Sequence, residues 1–181
     1  MDFGVYTNIE QKVKELGGIK SSVFNKKIFE AANEYWNNLS DTDKMTINNE
    51  ILTAPMFYKT IVTSCAICIY NSKSFVIIPI KDIMWIYNNI FTQCMYFIPY
   101  NKTHTLFLVD RYNRSYTIGV KNTGGFSKKN PNEEIIIKLR ELLYPKRNGI
   151  VFGYNPEIAN LFSKNFSEAV RMVDEKSQVQ N

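Results

Sequence analysis

Few residues in this chain are of the kinds that make or break bonds. One histidine, His104, and three cysteines, Cys65, Cys68 and Cys94, are all the imidazole and thiol present in 181 residues. Cys65-Ala66-Ile67-Cys68 has the C-x-x-C spacing of redox and zinc sites. In a redox site that spacing opens a helix after a strand, which lowers the thiol pKa. Here it lies in an apolar run of β character, where residues three apart point to opposite faces. Two small buried side chains are the expectation. Cys94 and His104 are too few to complete a zinc tetrad without carboxylates. The setting of His104, Asn101-Lys102-Thr103-His104-Thr105, reads as a solvated hairpin tip, and no G-x-S-x-G elbow or other nucleophile signature occurs. No catalytic residue, metal or cofactor is expected. A small hydrolase of unrecognised type is the one enzymatic reading left, and it requires His104 to meet a carboxylate and a Ser or Cys in a deep pocket.

The cations are the other candidates. Residues 1–55 carry six Lys against eight acids, and residues 56–181 carry sixteen Lys and Arg against nine, so the net +5 belongs wholly to the second part. Lys102, Arg111, Arg114, Lys128, Lys129, Lys146 and Arg147 all fall in predicted loops. Loops of a meander can gather at one end of a sheet. Lys102, Arg111, Tyr112, Arg114, Lys128 and Lys129 are therefore the candidate ligand-binding set, suited to phosphate or an anionic membrane. Gly124-Gly125-Phe126-Ser127-Lys128-Lys129 lacks the G-x-x-x-x-G-K-[ST] of a phosphate loop and reads as a connector. Tyr112 between Arg111 and Arg114 is a single aromatic–basic interleaving. The acidic balance of the N-terminal helices opposes a helix-turn-helix, so no nucleic acid is expected.

Three helices are expected before Pro55. Thr7 to Glu10 has capping-box spacing ahead of Ile9, Val13 and Leu16. Phe24, Ile28, Ala31, Tyr35 and Leu39 share a second face, and Ser40 to Asp43 starts a third segment bearing Met45, Ile47 and Ile51. From Met56 to Lys121 the period becomes two. Expected strands are Ile61–Tyr70, Ser74–Ile80, Ile83–Tyr87, Met95–Tyr100, Thr105–Val109 and Ser115–Lys121, joined by turns at 71–73, 101–104 and 110–114. In the last strand Tyr116, Ile118 and Val120 share a face. Asn130-Pro131-Asn132-Glu133 reads as a helix start, and Ile135, Ile136, Leu139, Leu142 and Leu143 make its buried stripe. Ile150–Tyr154 reads as a further strand, Asn155-Pro156-Glu157 as a capped helix start, and 177–181 as a polar tail. No secretory signal or spanning segment is visible, and three thiols without an export signal point to the cytoplasm.

Val76-Ile77-Ile78-Pro79-Ile80-Lys81-Asp82-Ile83, followed by Trp85 and Tyr87, resembles bacterial pleckstrin-homology-like domains of uncharacterised proteins, over about residues 56–145. The resemblance implies a β-sandwich or partly open barrel plugged by one helix, a binding or scaffolding module, and no catalytic residues. Eukaryotic relatives that bind phosphoinositides carry several cations in the first hairpin loop, whereas Asn71-Ser72-Lys73-Ser74 carries one. The fold expected is α+β: an antiparallel meander capped by an amphipathic helix, behind a helical N-terminal segment. Its divisions are 1–55, 56–145 and 146–181. The function expected is a non-enzymatic module that contacts another protein or itself, through sheet edges and exposed aromatics. Peripheral contact with an anionic membrane or phosphate ligand is the alternative.

Overall fold

Ser40 accepts a hydrogen bond from the backbone N–H of Asp43 and donates its hydroxyl to the Asp43 carboxylate, so the third helix starts with the expected cap. The first helix is held differently. The Asn48 side-chain oxygen accepts from the N–H groups of both Asn8 and Ile9, while Asn8 donates its side-chain amide to the Asn48 carbonyl. A cap from another helix replaces the expected Thr7 capping box. Burial of Ile9 and Ile47 brings the two helices close enough for it.

The structure, a computed structural model, describes residues 2–22 and 25–178. Phe24, expected to open the second stripe, and the end of the polar tail lie outside them. The chain divides into two compact units that meet between Ile80 and Lys81.

The first unit contains α1 (Thr7–Leu16), α2 (Lys26–Asn38), α3 (Asp41–Glu50), β1 (Met56–Phe57), β2 (Thr60–Val62), β3 (Ala66–Asn71) and β4 (Ser74–Pro79). Its four strands form an antiparallel meander in chain order. The expected strand over 61–70 is interrupted at Thr63, whose side-chain oxygen accepts from the Ala66 N–H and turns the chain. The Ser72–Lys73 turn joins β3 to β4 where expected, with both residues at positive φ. Helix residues Ile9, Trp36 and Ile47 share one core with strand residues Ile61, Cys68, Phe75 and Ile77. The unit therefore runs past Pro55 to Ile80, because the first sheet buries its apolar face with the helices.

The second unit contains β5 (Ile83–Met95), β6 (Ile98–Asp110), β7 (Ser115–Gly124), α4 (Glu133–Leu143), β8 (Val151–Phe152), α5 (Pro156–Lys164) and α6 (Phe166–Gln178). Its sheet order is β7-β6-β5-β8, antiparallel except that β8 lies parallel to β5. The architecture is thus α+β with two mostly antiparallel sheets, and neither closes into a barrel.

Several expectations change in this unit. The turn expected at 101–104 is mid-strand, and the hairpin reverses at Tyr96–Phe97, with Met95 opposite Ile98. The polar residues were turn-like only in polarity. In place they continue the ladder between β5 and β7. A bulge opposite Leu106 and Phe107 leaves Ile118 as an extra residue and re-aims Val120 outward. The Asn130 side chain accepts from the Asn132 N–H, but α4 begins only at Glu133, and its N-cap Asn132 makes no side-chain cap bond. Asn155 does cap α5 as expected, accepting from the N–H groups of Glu157 and Ile158.

Leu139 and Leu143 of α4 are fully buried, and Ile135, Ile136 and Leu142 are half-buried. On the face carrying Trp85 and Val109, the helices α5 and α6 bring Phe162, Ala169 and Val173. That cover ends early. β5 is buried or half-buried from Ile83 to Asn88, but from Asn89 to Thr92 every residue is exposed, while the β6 residues opposite them are buried or half-buried.

The Asn48 cap is testable. Replacing Asn48 by Ala should cost about 1–2 kcal/mol of local stability, whereas Thr7→Ala should cost little. Amide exchange over α1 measures both. Equal losses for the two variants would contradict the assignment.

Candidate functional site

Most of the candidate cations are already engaged within the second unit. Arg111 donates to Asp82 at 3.1 Å and, through both terminal nitrogens, to the Asp174 carboxylate on α6. Arg147, almost fully buried rather than in an open turn, also reaches Asp174 and bonds the Lys81 carbonyl. Asp110 is completely buried and accepts from the Arg114 side chain, the Tyr116 hydroxyl and the N–H groups of Tyr112 and Arg114. The Arg114 guanidinium stands 4.5 Å over the Tyr112 ring. Arg111, Tyr112 and Arg114 thus knit the β6–β7 loop together and are not aimed at a ligand.

The connector after β7 forms no phosphate cradle. The Gly125 N–H donates to Tyr100 O, the Ser127 N–H to Gly124 O, and the Lys129 N–H to the Ser127 hydroxyl. Lys102 is in β6, not in a loop, and donates to Ser127 O at 2.7 Å. These bonds draw the connector alongside the ribbon. A Cβ on Gly125 would lie 2.1 Å from Pro99 O, so glycine is required for that approach. Lys128 and Lys129 are exposed beside it.

The site that sequence reasoning missed is the end of the β5–β6 hairpin. Tyr96 is 89% exposed and Phe97 fully so. Ile90, Phe91, Met95, Ile98 and Tyr100 are exposed on the ribbon behind them, and Phe126, 75% exposed, stands on the adjoining connector. Tyr96 and Phe97 form a two-residue turn with φ of 49° and 67°. That backbone favours Asn-Gly, and a non-glycine residue in it costs about 1–2 kcal/mol. Two aromatic rings therefore occupy the least favourable positions for them. One signal was visible in the sequence: from Ile83 to Asn132 there are six Lys and Arg but a single acid, Asp110.

His104 is not at the tip. It is buried in β6, and its ring is oriented by neutral partners. Asn88 accepts from the Asn132 amide at 2.7 Å, so its own amide faces His104 Nδ1 at 3.4 Å as donor. Nδ1 then carries no proton, and Nε2–H donates to the Thr123 hydroxyl at 3.0 Å. Asn132 also donates to the His104 carbonyl. Both ring nitrogens are thus occupied by an amide and a hydroxyl, not by the carboxylate and nucleophile of the hydrolase reading. Burial, then the nearby Lys102 charge, holds the imidazole pKa below its ordinary value.

All three thiols are free, with Cys68 buried in β3, Cys65 half-buried just before it, and Cys94 exposed beside the hairpin tip. Burial pushes the Cys65 and Cys68 thiols up. An open groove of about 300 Å³ is lined by Trp85, Tyr87, Tyr154 and Phe162, with the Trp85 and Tyr87 rings stacked 3.9 Å apart. Among the described residues no group of His, Cys, Asp or Glu is placed to hold a metal ion, and no helix is long and apolar enough to cross a membrane.

No family model, curated protein or solved structure matches this chain.

His104 makes a pH prediction. Its folded pKa is depressed, whereas in the unfolded chain it titrates near about 6.5. The stability it contributes is present above that value and is lost as pH falls through it toward the folded pKa. Thermal midpoints measured from about pH 7 to about pH 5 should fall less steeply for His104→Gln than for the unmodified protein. Parallel curves would contradict the buried neutral imidazole.

Proposed function

We propose that this protein is a non-enzymatic binding module whose contact surface is the end of the β5–β6 hairpin. The observation that carries this reading is the pair of exposed aromatics, Tyr96 and Phe97, held at positive φ beyond a stretch of β5 in which every residue from Asn89 to Thr92 is exposed. Exposed apolar patches of this kind mark interaction sites, and a strained turn persists where function retains it. Sheet edges and exposed aromatics remain the contact elements expected from the sequence, with the contact gathered at one place. The order of the strands, seven antiparallel ones followed by an amphipathic helix, supports a pleckstrin-homology-like relationship, and we propose it as such, with a cytoplasmic setting.

Cys94 reports on this surface without any engineered probe. In purified protein it should react with a maleimide before Cys65, and Cys68 should react only on unfolding. In intact cells that make the protein, Cys94 should react more slowly relative to a denatured standard, because the tip is covered. Equal accessibility of Cys94 in cells and in purified protein would contradict the reading.

A further inference from the structure

We infer that the hairpin end is a wedge for an anionic lipid surface, with the Tyr96–Phe97 turn entering the headgroup boundary and lysines behind it meeting the lipid charge. The inference rests on the hairpin end being the contact surface and names what covers it.

Three observations select a membrane over a protein partner or a second copy of the chain. The first is shape. The exposed apolar residues Met95, Tyr96, Phe97 and Ile98 sit at the hairpin turn, beyond Asn101 where pairing with β7 stops. A stable protein interface buries about 800 Å² on each partner, which the four turn residues alone do not supply, although Ile90, Phe91, Tyr100 and Phe126 lie exposed behind them. Insertion to a depth of about 5–10 Å needs only such a tip.

The second is the order of residue types along the projection. Phe97 is fully exposed at the turn beside Tyr96, Tyr100 follows three residues behind on β6, and charge begins only at Lys102. Apolar first, then tyrosine, then lysine is the sequence of environments met in crossing from acyl chains through headgroups to water.

The third is charge complementarity. Residues 83–109 and 115–132 contain Lys102, Lys121, Lys128 and Lys129 and no acid, and Glu134 at the start of α4 lies near Lys121 and Lys129. The Gly125–Tyr100 and Lys102–Ser127 bonds bring the connector bearing Phe126, Lys128 and Lys129 alongside the ribbon, just behind its tip. A lipid surface of uniform negative charge is complementary to lysines of this kind. Arg111 and Arg114, held by Asp82, Asp110 and Asp174, take no part.

The turn itself supplies a variant that separates binding from folding. Tyr96→Asn with Phe97→Gly installs the residues that the turn backbone prefers, so the double variant should melt at or above the temperature of the unmodified protein while losing the wedge. The full-length protein is sedimented with vesicles of phosphatidylcholine alone and of phosphatidylcholine with roughly one-third phosphatidylglycerol. Binding is expected to the anionic vesicles, to weaken as salt is raised, and to fall roughly ten- to hundredfold in the double variant. Lys128→Glu with Lys129→Glu should weaken it without lowering the melting temperature. A tryptophan placed by Phe97→Trp should be quenched by brominated lipid. Soluble glycerol phosphate should not compete, since the apolar tip contributes nothing to a free phosphate.

The inference is overturned if the protein stays in the supernatant with anionic vesicles, or binds them equally well as the double variant. It is also overturned if size measurements show self-association that the double variant abolishes. Protection of Cys94 in cells without vesicle binding would overturn the lipid assignment alone. Loss of that protection would overturn the contact surface itself.

Discussion

The β5–β6 hydrogen-bond ladder is longer than the apolar layers available to cover it, and the second unit follows from that mismatch. An antiparallel pair keeps gaining backbone hydrogen bonds with each added residue, whether or not its side chains find neighbours. Here the pairing continues to Met95 and Ile98, but burial on both faces stops near Asn88 and His104. The side chains beyond must therefore be satisfied by water or by another body. Water suits Asn89 and Thr92. It does not suit Phe91, Met95 or Phe97.

Charge in the same unit is divided along the same line. At the covered end, Asp82, Asp110 and Asp174 neutralise Arg111, Arg114 and Arg147 and tie strand, loop and helix together. Past that point the strands and the connector carry only lysines, with Glu134 of α4 near Lys121 and Lys129. The boundary is marked by a neutral polar cluster, Asn88, His104, Thr123 and Asn132, which sets the start of α4 against the sheet. An imidazole held between one amide and one hydroxyl serves the packing there.

Elements governed by local chemistry were readable from the residues. The Ser40 and Asn155 caps, the apolar stripe of α4 and the Ser72–Lys73 turn all stand as their neighbours in sequence imply. Elements governed by distant partners were not. Asn48 caps α1 from forty residues away, and Asn132 gives its amide to Asn88 instead of capping its own helix. The polar run at 101–104 resembled a turn because polarity does not report whether both neighbouring strands are present. The Tyr96–Phe97 reversal was illegible for the opposite reason: it uses residues that local preference argues against. Positive φ is shared with Tyr58 and with the Ser72–Lys73 turn, so it is the exposure of the two aromatic rings that sets Tyr96–Phe97 apart.

The central claim is that the uncovered ribbon is an ordered projection that holds its tip away from the core. Amide exchange resolved along residues 86–108 of the isolated protein tests it most directly. Protection should continue through the hydrogen-bonded amides near Gln93 and Asn101 and end only at the turn. Exchange that becomes unprotected immediately beyond Asn88 and His104 would mean a frayed segment, with no rigid support for the aromatic tip, and would contradict the account.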